Sequence, residues 1–168
     1  SMKYYIIIGC LLGFFIYLKG YNILNIGGGG MRHLEKSLGD PYKVYEIDMV
    51  GDCDMQINLD GIERLPFLDN SFDMCCAFDV LEHLENFHSI NNELFRIAKS
   101  TVLISLPNSA VEIFTNVLMN RKQKMKYLQS GTFSKFYGLP LQVPIDRHRW
   151  WLYPQDIIRY YYYFSLKN

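Results

Sequence analysis

Four consecutive glycines, Gly27 to Gly30, follow the apolar run Ile23, Leu24 and Ile26, and an acid, Asp48, stands 21 residues after the first of them. Glycines in a strand-to-helix turn let the backbone approach a ligand closely, because no Cβ intrudes and φ > 0 is open to them. The free N–H groups at the start of the following helix would face the same point. A carboxylate at the end of the next strand can accept two hydrogen bonds from ribose hydroxyls. The pattern therefore suits a nucleotide. Two imidazoles could move protons: His83, in VLEHLE, and His148, in DRHRW, which Asp146 could orient. For such a histidine, simply satisfying a backbone group is the commoner role. Glu82 reads as a helix cap or hydrogen-bond partner, His33 and His88 as surface residues, and no His, Asp or Glu spacing suggests a metal site.

Those residues need elements to carry them. Asn22 to Ile26 is too short for a helix and rich in β-branched residues, so it reads as a buried strand. Met31 to Leu38 reads as a short helix closed by Gly39, and Val44 to Ile47 as a second strand ending at Asp48. Strand, helix, strand is the unit of a parallel α/β sheet. Met55 to Leu59 suggests a third strand. Phe72 to Val80 suggests a fourth, apolar on both faces as a central parallel strand should be. Phe87, Ile90, Leu94 and Ile97 place a helix over 86–98, and Thr101 to Leu106 makes a fifth strand. Helices follow over 110–118 and from Pro154 through Phe164. Between them lie the basic run RKQKMK (121–126), which reads as a solvated helix end, and an irregular, aromatic-rich stretch, 127–152, of the kind that forms lids. Tyr160 to Tyr163 would cover every face of the last helix, which points to packing or a homo-oligomer contact.

At 168 residues, 49% hydrophobic and 15% aromatic, the chain suits one folded domain. Its parts would be an apolar segment (1–20), a cofactor-binding core (21–108) and a substrate or lid region (109–168). Lys plus Arg equals Asp plus Glu, 17 each, so no global field recruits nucleic acid. Cys10, Cys53, Cys75 and Cys76 form no CxxC pair, which suits a reducing cytoplasm better than a disulfide framework. Ser1 ahead of Met2 reads as an expression scar. Tyr4 to Leu18 is an unbroken apolar run shorter than the roughly 17–25 residues that span a bilayer. It could be a buried first helix, a marginal membrane anchor or the apolar core of a signal.

The stretch Leu65 to Glu85, LPFLDNSFDMCCAFDVLEHLE, resembles the class I S-adenosylmethionine-dependent methyltransferases, in particular the broad type 11 group. That group has an LPF-x-D-N-S-F-D turn before its fourth strand and V-L-E-H-L after it. The resemblance runs from Ile23 to about Asn108, and more loosely to DRHRWWLYP at 146–154. It implies a Rossmann-like parallel sheet sandwiched by helices and methyl transfer from S-adenosylmethionine, with S-adenosylhomocysteine as product, to a small-molecule or sugar-like acceptor. Carried over, Asn25 and Gly27, Gly28, Gly29 and Gly30 would lie at the methionine part of the cofactor. Asp48 would hold the ribose with Met49 beside the adenine, and Asn58, Leu59 or Asp60 would meet the adenine edge. Asp79, Val80 and Leu81 would face the sulfonium and the acceptor, with His83 bordering that cleft. An NAD-binding fingerprint would need a glycine where Arg32 or His33 stands.

The chain departs from the family in two ways. Asn25 stands where an acid is usual, which removes a charge that would oppose the cofactor's ammonium and sulfonium. The family's sheet also ends in a sixth and a seventh strand, so either this sequence is truncated before the terminal antiparallel strands, or its edge is completed by another chain or by the amino-terminal run. Both departures, with the apolar start, favour a rival reading: a methyltransferase-like fold without activity, serving as a binding or membrane-tethered partner.

Overall fold

The computed structural model describes residues 3–8, 21–118 and 148–166, which belong to two compact units, Ser1–Leu106 and Pro107–Asn168. The first unit contains strands β1 (Lys3–Ile8), β2 (Asn22–Ile26), β3 (Lys43–Asp48), β4 (Met55–Gln56), β5 (Phe72–Phe78) and β6 (Ala98–Leu106). They form one six-stranded sheet in the order β1-β6-β5-β2-β3-β4, and every neighbouring pair is parallel. Parallel neighbours need crossovers, and two helices supply them: α1 (His33–Leu38) between β2 and β3, and α2 (Phe87–Ile97) between β5 and β6. The Rossmann-like α/β fold read from the sequence is therefore present.

Burial follows strand order. Ile23 to Ile26 of β2 and Met74 to Ala77 of β5 are buried on both faces, as befits the two central strands. One face gathers Ile23, Val44, Met74 and Cys76, covered by Leu34 and Leu38 of α1. On α2, Phe87, Ile90, Leu94 and Ile97 are buried, and the helix packs on β5 and β6. Each such side chain contributes roughly 1.5–3 kcal/mol by leaving water. Burial also pushes the Cys75 and Cys76 thiols above their ordinary range, which makes them inert packing groups.

The turn before β5 is held from the end of α2. Arg96 donates to the Phe67 carbonyl (2.8 Å), to Asp69 Oδ1 (2.6 Å) and to Glu93 Oε1 (2.7 Å), while Glu93 Oε2 accepts the Leu65 N–H (2.8 Å). Phe67 also stands edge-on to Tyr45 and Phe72, at 5.8 and 5.2 Å between ring centroids.

Two expectations are corrected. Lys3–Ile8 is a strand, not the start of a buried helix, and it runs beside β6 from Lys3↔Thr101 to Ile8↔Leu106. Two tyrosines and three isoleucines in six residues favour a pleated strand over a helix. The amino-terminal run thus completes the β6 edge, one of the outcomes open from sequence; residues 9–20 lie outside the described residues. The expected strand over Met55 to Leu59 stops at Gln56. Asn58 Oδ1 accepts the Asp60 N–H (3.1 Å), and this local bond diverts the chain into a 3-10 turn over Leu59–Gly61.

The second unit contains α3 (Ser109–Leu118) and α4 (Pro154–Ser165). The Ser109 N–H donates to the Leu152 carbonyl and the Leu152 N–H to Ser109 Oγ, both at 3.0 Å, which ties the extended segment before α4 to the start of α3. Pro154 opens α4, where Ile157 and Tyr161 are buried, Tyr160 and Phe164 touch the Tyr161 ring, and Tyr162 and Tyr163 are exposed. The basic run 121–126 and most of 127–152 lie outside the described residues. Among the described residues, no helix is long and apolar enough to cross a membrane.

Candidate functional site

Strand order marks one place on the first unit. From β2 the sheet winds one way to β3 and β4, then resumes on the other side of β2 with β5 and β6. In open parallel sheets, ligands bind beyond the carboxyl ends of the strands where the winding reverses. The glycine loop leaves β2 there, and Asp79 and Val80 leave β5 there. The two meet, because the Val80 side chain stands where a Cβ on Gly27 would lie. Met31, Met49 and Val50, at 55%, 58% and 57% exposure, add solvent-facing apolar surface along the loops that follow β2 and β3.

Asp48 closes the loop from the β3 side. Its Oδ2 accepts the Gly29 N–H (2.8 Å), and its Oδ1 accepts the N–H groups of Met49 (2.6 Å) and Val50 (3.2 Å). The Gly27 N–H donates to the Ile47 carbonyl (2.9 Å) and the Asp52 N–H to the Gly30 carbonyl (3.1 Å). A Cβ on Gly30 would lie 2.5 Å from the Gly51 Cα, so the two loops touch backbone to backbone. Convergence of the glycine bend and the residue-48 carboxylate, expected from spacing alone, is therefore realised.

Arg32 fastens the same pair of loops. At φ 50° it is left-handed, and its guanidinium reaches Glu35 (3.1 Å), Asp52 (3.1 Å) and Asp54 (3.3 Å). Hydrogen bonds that it donates to Asp54, Asp52 and Glu35 raise its pKa above the ordinary arginine value. Burial alone would raise the Asp54 carboxyl, but the Glu46 N–H and Arg32 outweigh it and hold the group below its usual range.

Beneath the loop lies a pair that the spacing argument passed over. Asn25 on β2 and Glu46 on β3 are register partners, 4% and 1% exposed. Asn25 Nδ2 donates to Glu46 Oε2 over a long 3.4 Å, while Glu46 Oε1 and Asn25 Oδ1 have no hydrogen-bond partner. A Cβ on Gly28 would lie 2.5 Å from Glu46 Oε1, so this carboxyl sits directly against the loop. The signal was a glutamate between apolar neighbours in KVYEID, at a position whose alternation points inward.

The remaining sequence candidates distribute as follows. Asn58 and Asp60 are exposed on the 3-10 turn after β4, and Leu59 is buried beneath it. This turn is tied to the start of α2: Asp60 Oδ1 accepts the Glu85 N–H (2.8 Å), and Asn86 Nδ2 donates to the Leu59 (2.8 Å) and Ile62 (2.7 Å) carbonyls. Asp79 is exposed at φ 52°; its N–H donates to Ser105 Oγ (3.0 Å), and its Oδ1 accepts from that hydroxyl (2.8 Å). Leu81 is fully buried, so its side chain serves the core. His83 Nε2 lies 4.0 Å from the buried Glu82 carboxylate. His148 belongs to the second unit, half-buried just ahead of the segment tied to Ser109.

Comparison with known proteins bears on the fold. A family model described as a methyltransferase domain matches residues 24–106. A solved structure of a candidate methyltransferase from Bacillus halodurans C-125 shares the fold with a TM-score of 0.51 at 20% sequence identity, over 84% of this chain and 58% of that one. The present chain thus spans little more than half the length of that protein. No curated protein matches it. Residues 24–106 thus match a methyltransferase domain, and the chain shares the Rossmann-like fold of that solved structure.

Proposed function

We propose that the crevice beyond β2, β3 and β5 binds S-adenosylmethionine and that the chain transfers its methyl group to a small-molecule or sugar-like acceptor. The observation that carries this reading is the meeting of Gly29 and Asp48, 2.8 Å apart, at the point where the sheet's winding reverses. The buried polar atoms under the loop fit the same donor, whose amino-acid end is polar and charged.

Asp48 holds the ribose. A carboxylate offers about four acceptor positions, and three are taken by loop N–H groups, so engaging two hydroxyls displaces at least one of them. Gly27 to Gly30 lie against the methionine part, the exposed Met49 against the adenine, and Asn58 or Asp60 at the adenine edge. Asp79 and Val80 border the methyl and the acceptor, with His83 as the candidate base of this unit; His148, of the second unit, is the other imidazole able to move a proton. The bound donor supplies a methyl already activated by its sulfonium. The protein's work is then to align the acceptor and exclude water, which needs little from any one base.

Calorimetry with S-adenosylhomocysteine tests the binding half of the proposal. Saturable one-to-one binding is expected, and its absence in a folded sample overturns the proposal. Transfer is tested by labelled methyl incorporation across hydroxylated and sugar acceptors.

A further inference from the structure

The Asn25–Glu46 pair presents an electrostatic problem. A carboxylate taken out of water is costly unless it is paired. Glu46 is 1% exposed, forms no ion pair among the described residues, and has one oxygen without a hydrogen bond and the other with a single long one from Asn25. Asn25 Oδ1 beside it is also unsatisfied, so two acceptors and no cation are gathered at one point. β2 runs from here into the glycine loop, and only the missing Cβ of Gly28 makes room for the carboxyl. Among the described residues, the long bond from Asn25 is all that compensates this carboxyl. The loop above it is where the proposed cofactor's cationic amino-acid end would lie.

We infer that Glu46 is the anionic residue of the methionine subsite: its carboxylate on β3 supplies, from the neighbouring strand, the negative charge that Asn25 does not supply on β2, and it selects a ligand bearing an α-ammonium group. The inference rests on the proposed cofactor reading. The register pairing Asn25↔Glu46 sets the carboxyl one strand along the sheet from Asn25, at the level of the loop. Asn25 then acts as the donor that orients the carboxylate through its Nδ2.

The test pairs two ligands with three proteins. The ligands are S-adenosylhomocysteine and its analogue lacking only the α-amino group; the proteins are the full chain, Glu46→Gln, and the double variant Asn25→Asp/Glu46→Gln. Calorimetry should show the wild type preferring S-adenosylhomocysteine by at least about tenfold, since charged hydrogen bonds are worth about that much or more. Glu46→Gln should collapse the preference by weakening S-adenosylhomocysteine alone, and the double variant should restore it by returning a carboxylate to β2. Thermal denaturation without ligand should show Glu46→Gln no less stable than the wild type, because it removes an uncompensated buried charge. A Glu46→Gln protein that keeps the preference, or loses both ligands equally, overturns the inference and leaves the cofactor reading standing. So does a wild type that binds the two ligands alike, an outcome needing no variant to fold. A wild type that binds neither overturns both.

Discussion

At the scale of single residues, Asp48 and Gly28 make opposite demands. Asp48 matters for its charge: Asp48→Asn keeps the shape but turns an N–H₂ group toward either the Gly29 N–H or a ribose hydroxyl, both of which donate. Hydrogen bonds to charged groups are worth about 1.5–3 kcal/mol, so calorimetry should show S-adenosylhomocysteine bound about 10- to 100-fold more weakly by Asp48→Asn. Gly28 matters for what it lacks. In Gly28→Ala the new methyl meets Glu46 Cδ and Oε1 at 2.5 Å and Asn25 Nδ2 at 2.8 Å, two side chains that are themselves buried. Overpacking of this kind costs about 1–3 kcal/mol, to be read from urea denaturation of the ligand-free protein. The loss should shrink when Glu46→Gly is added, because the clash is with that side chain and the two substitutions are therefore coupled.

At the scale of elements, the turn before β5 depends on Arg96. Arg96→Met removes the donor to Phe67, Asp69 and Glu93 together and leaves the buried Glu93 without its cation. Urea denaturation should show a loss of about 2–4 kcal/mol. Burial alone would raise the Glu93 carboxyl, but Arg96 and the Leu65 N–H outweigh it and hold the group below its ordinary range. Asp73 is held low as well, by the Asn22 N–H and Lys99. A carboxyl with a lowered folded-state pKa contributes its full stability above the unfolded value, about 4, and loses it as the pH falls through the folded value. Stability should therefore decline below about pH 4, and Arg96→Met should flatten that decline. These elements also show what could be read from sequence. The LPFLDNSFD turn carries the resemblance to the family, and its residues here brace β5 against α2. The meeting of Gly27 to Gly30 with Asp48 was legible because a strand-to-helix turn and the end of the neighbouring parallel strand lie at fixed places in such a sheet. Glu46 was not, because its meaning comes from standing beside Asn25 across a strand register that no local pattern encodes. The run after Gln56 misled for a related reason: a single Asn58 side-chain bond overrides strand propensity.

At the scale of the whole sheet, β1 decides how the β6 edge ends. Tyr4 to Leu18 read as one apolar run because hydropathy does not distinguish a strand that pairs from a helix that inserts; its three consecutive isoleucines, Ile6 to Ile8, lie in register with Ile104 to Leu106. A parallel edge strand contributes backbone bonds to its neighbour and also covers that neighbour's unpaired N–H and C=O groups, which otherwise recruit other chains. Removing residues 1–8 should therefore have two linked effects. Amide exchange in β6 should accelerate relative to β2 and β5, which stay flanked on both sides. Light scattering should also show concentration-dependent self-association driven by the bared edge. Exchange in β6 that is unchanged by the deletion would mean that β1 does not pair there, and the sheet would then end at β6. The glycine loop and Asp48 lie across β5 from that edge, on strands the deletion leaves paired, so affinity for S-adenosylhomocysteine should persist in whatever monomer remains.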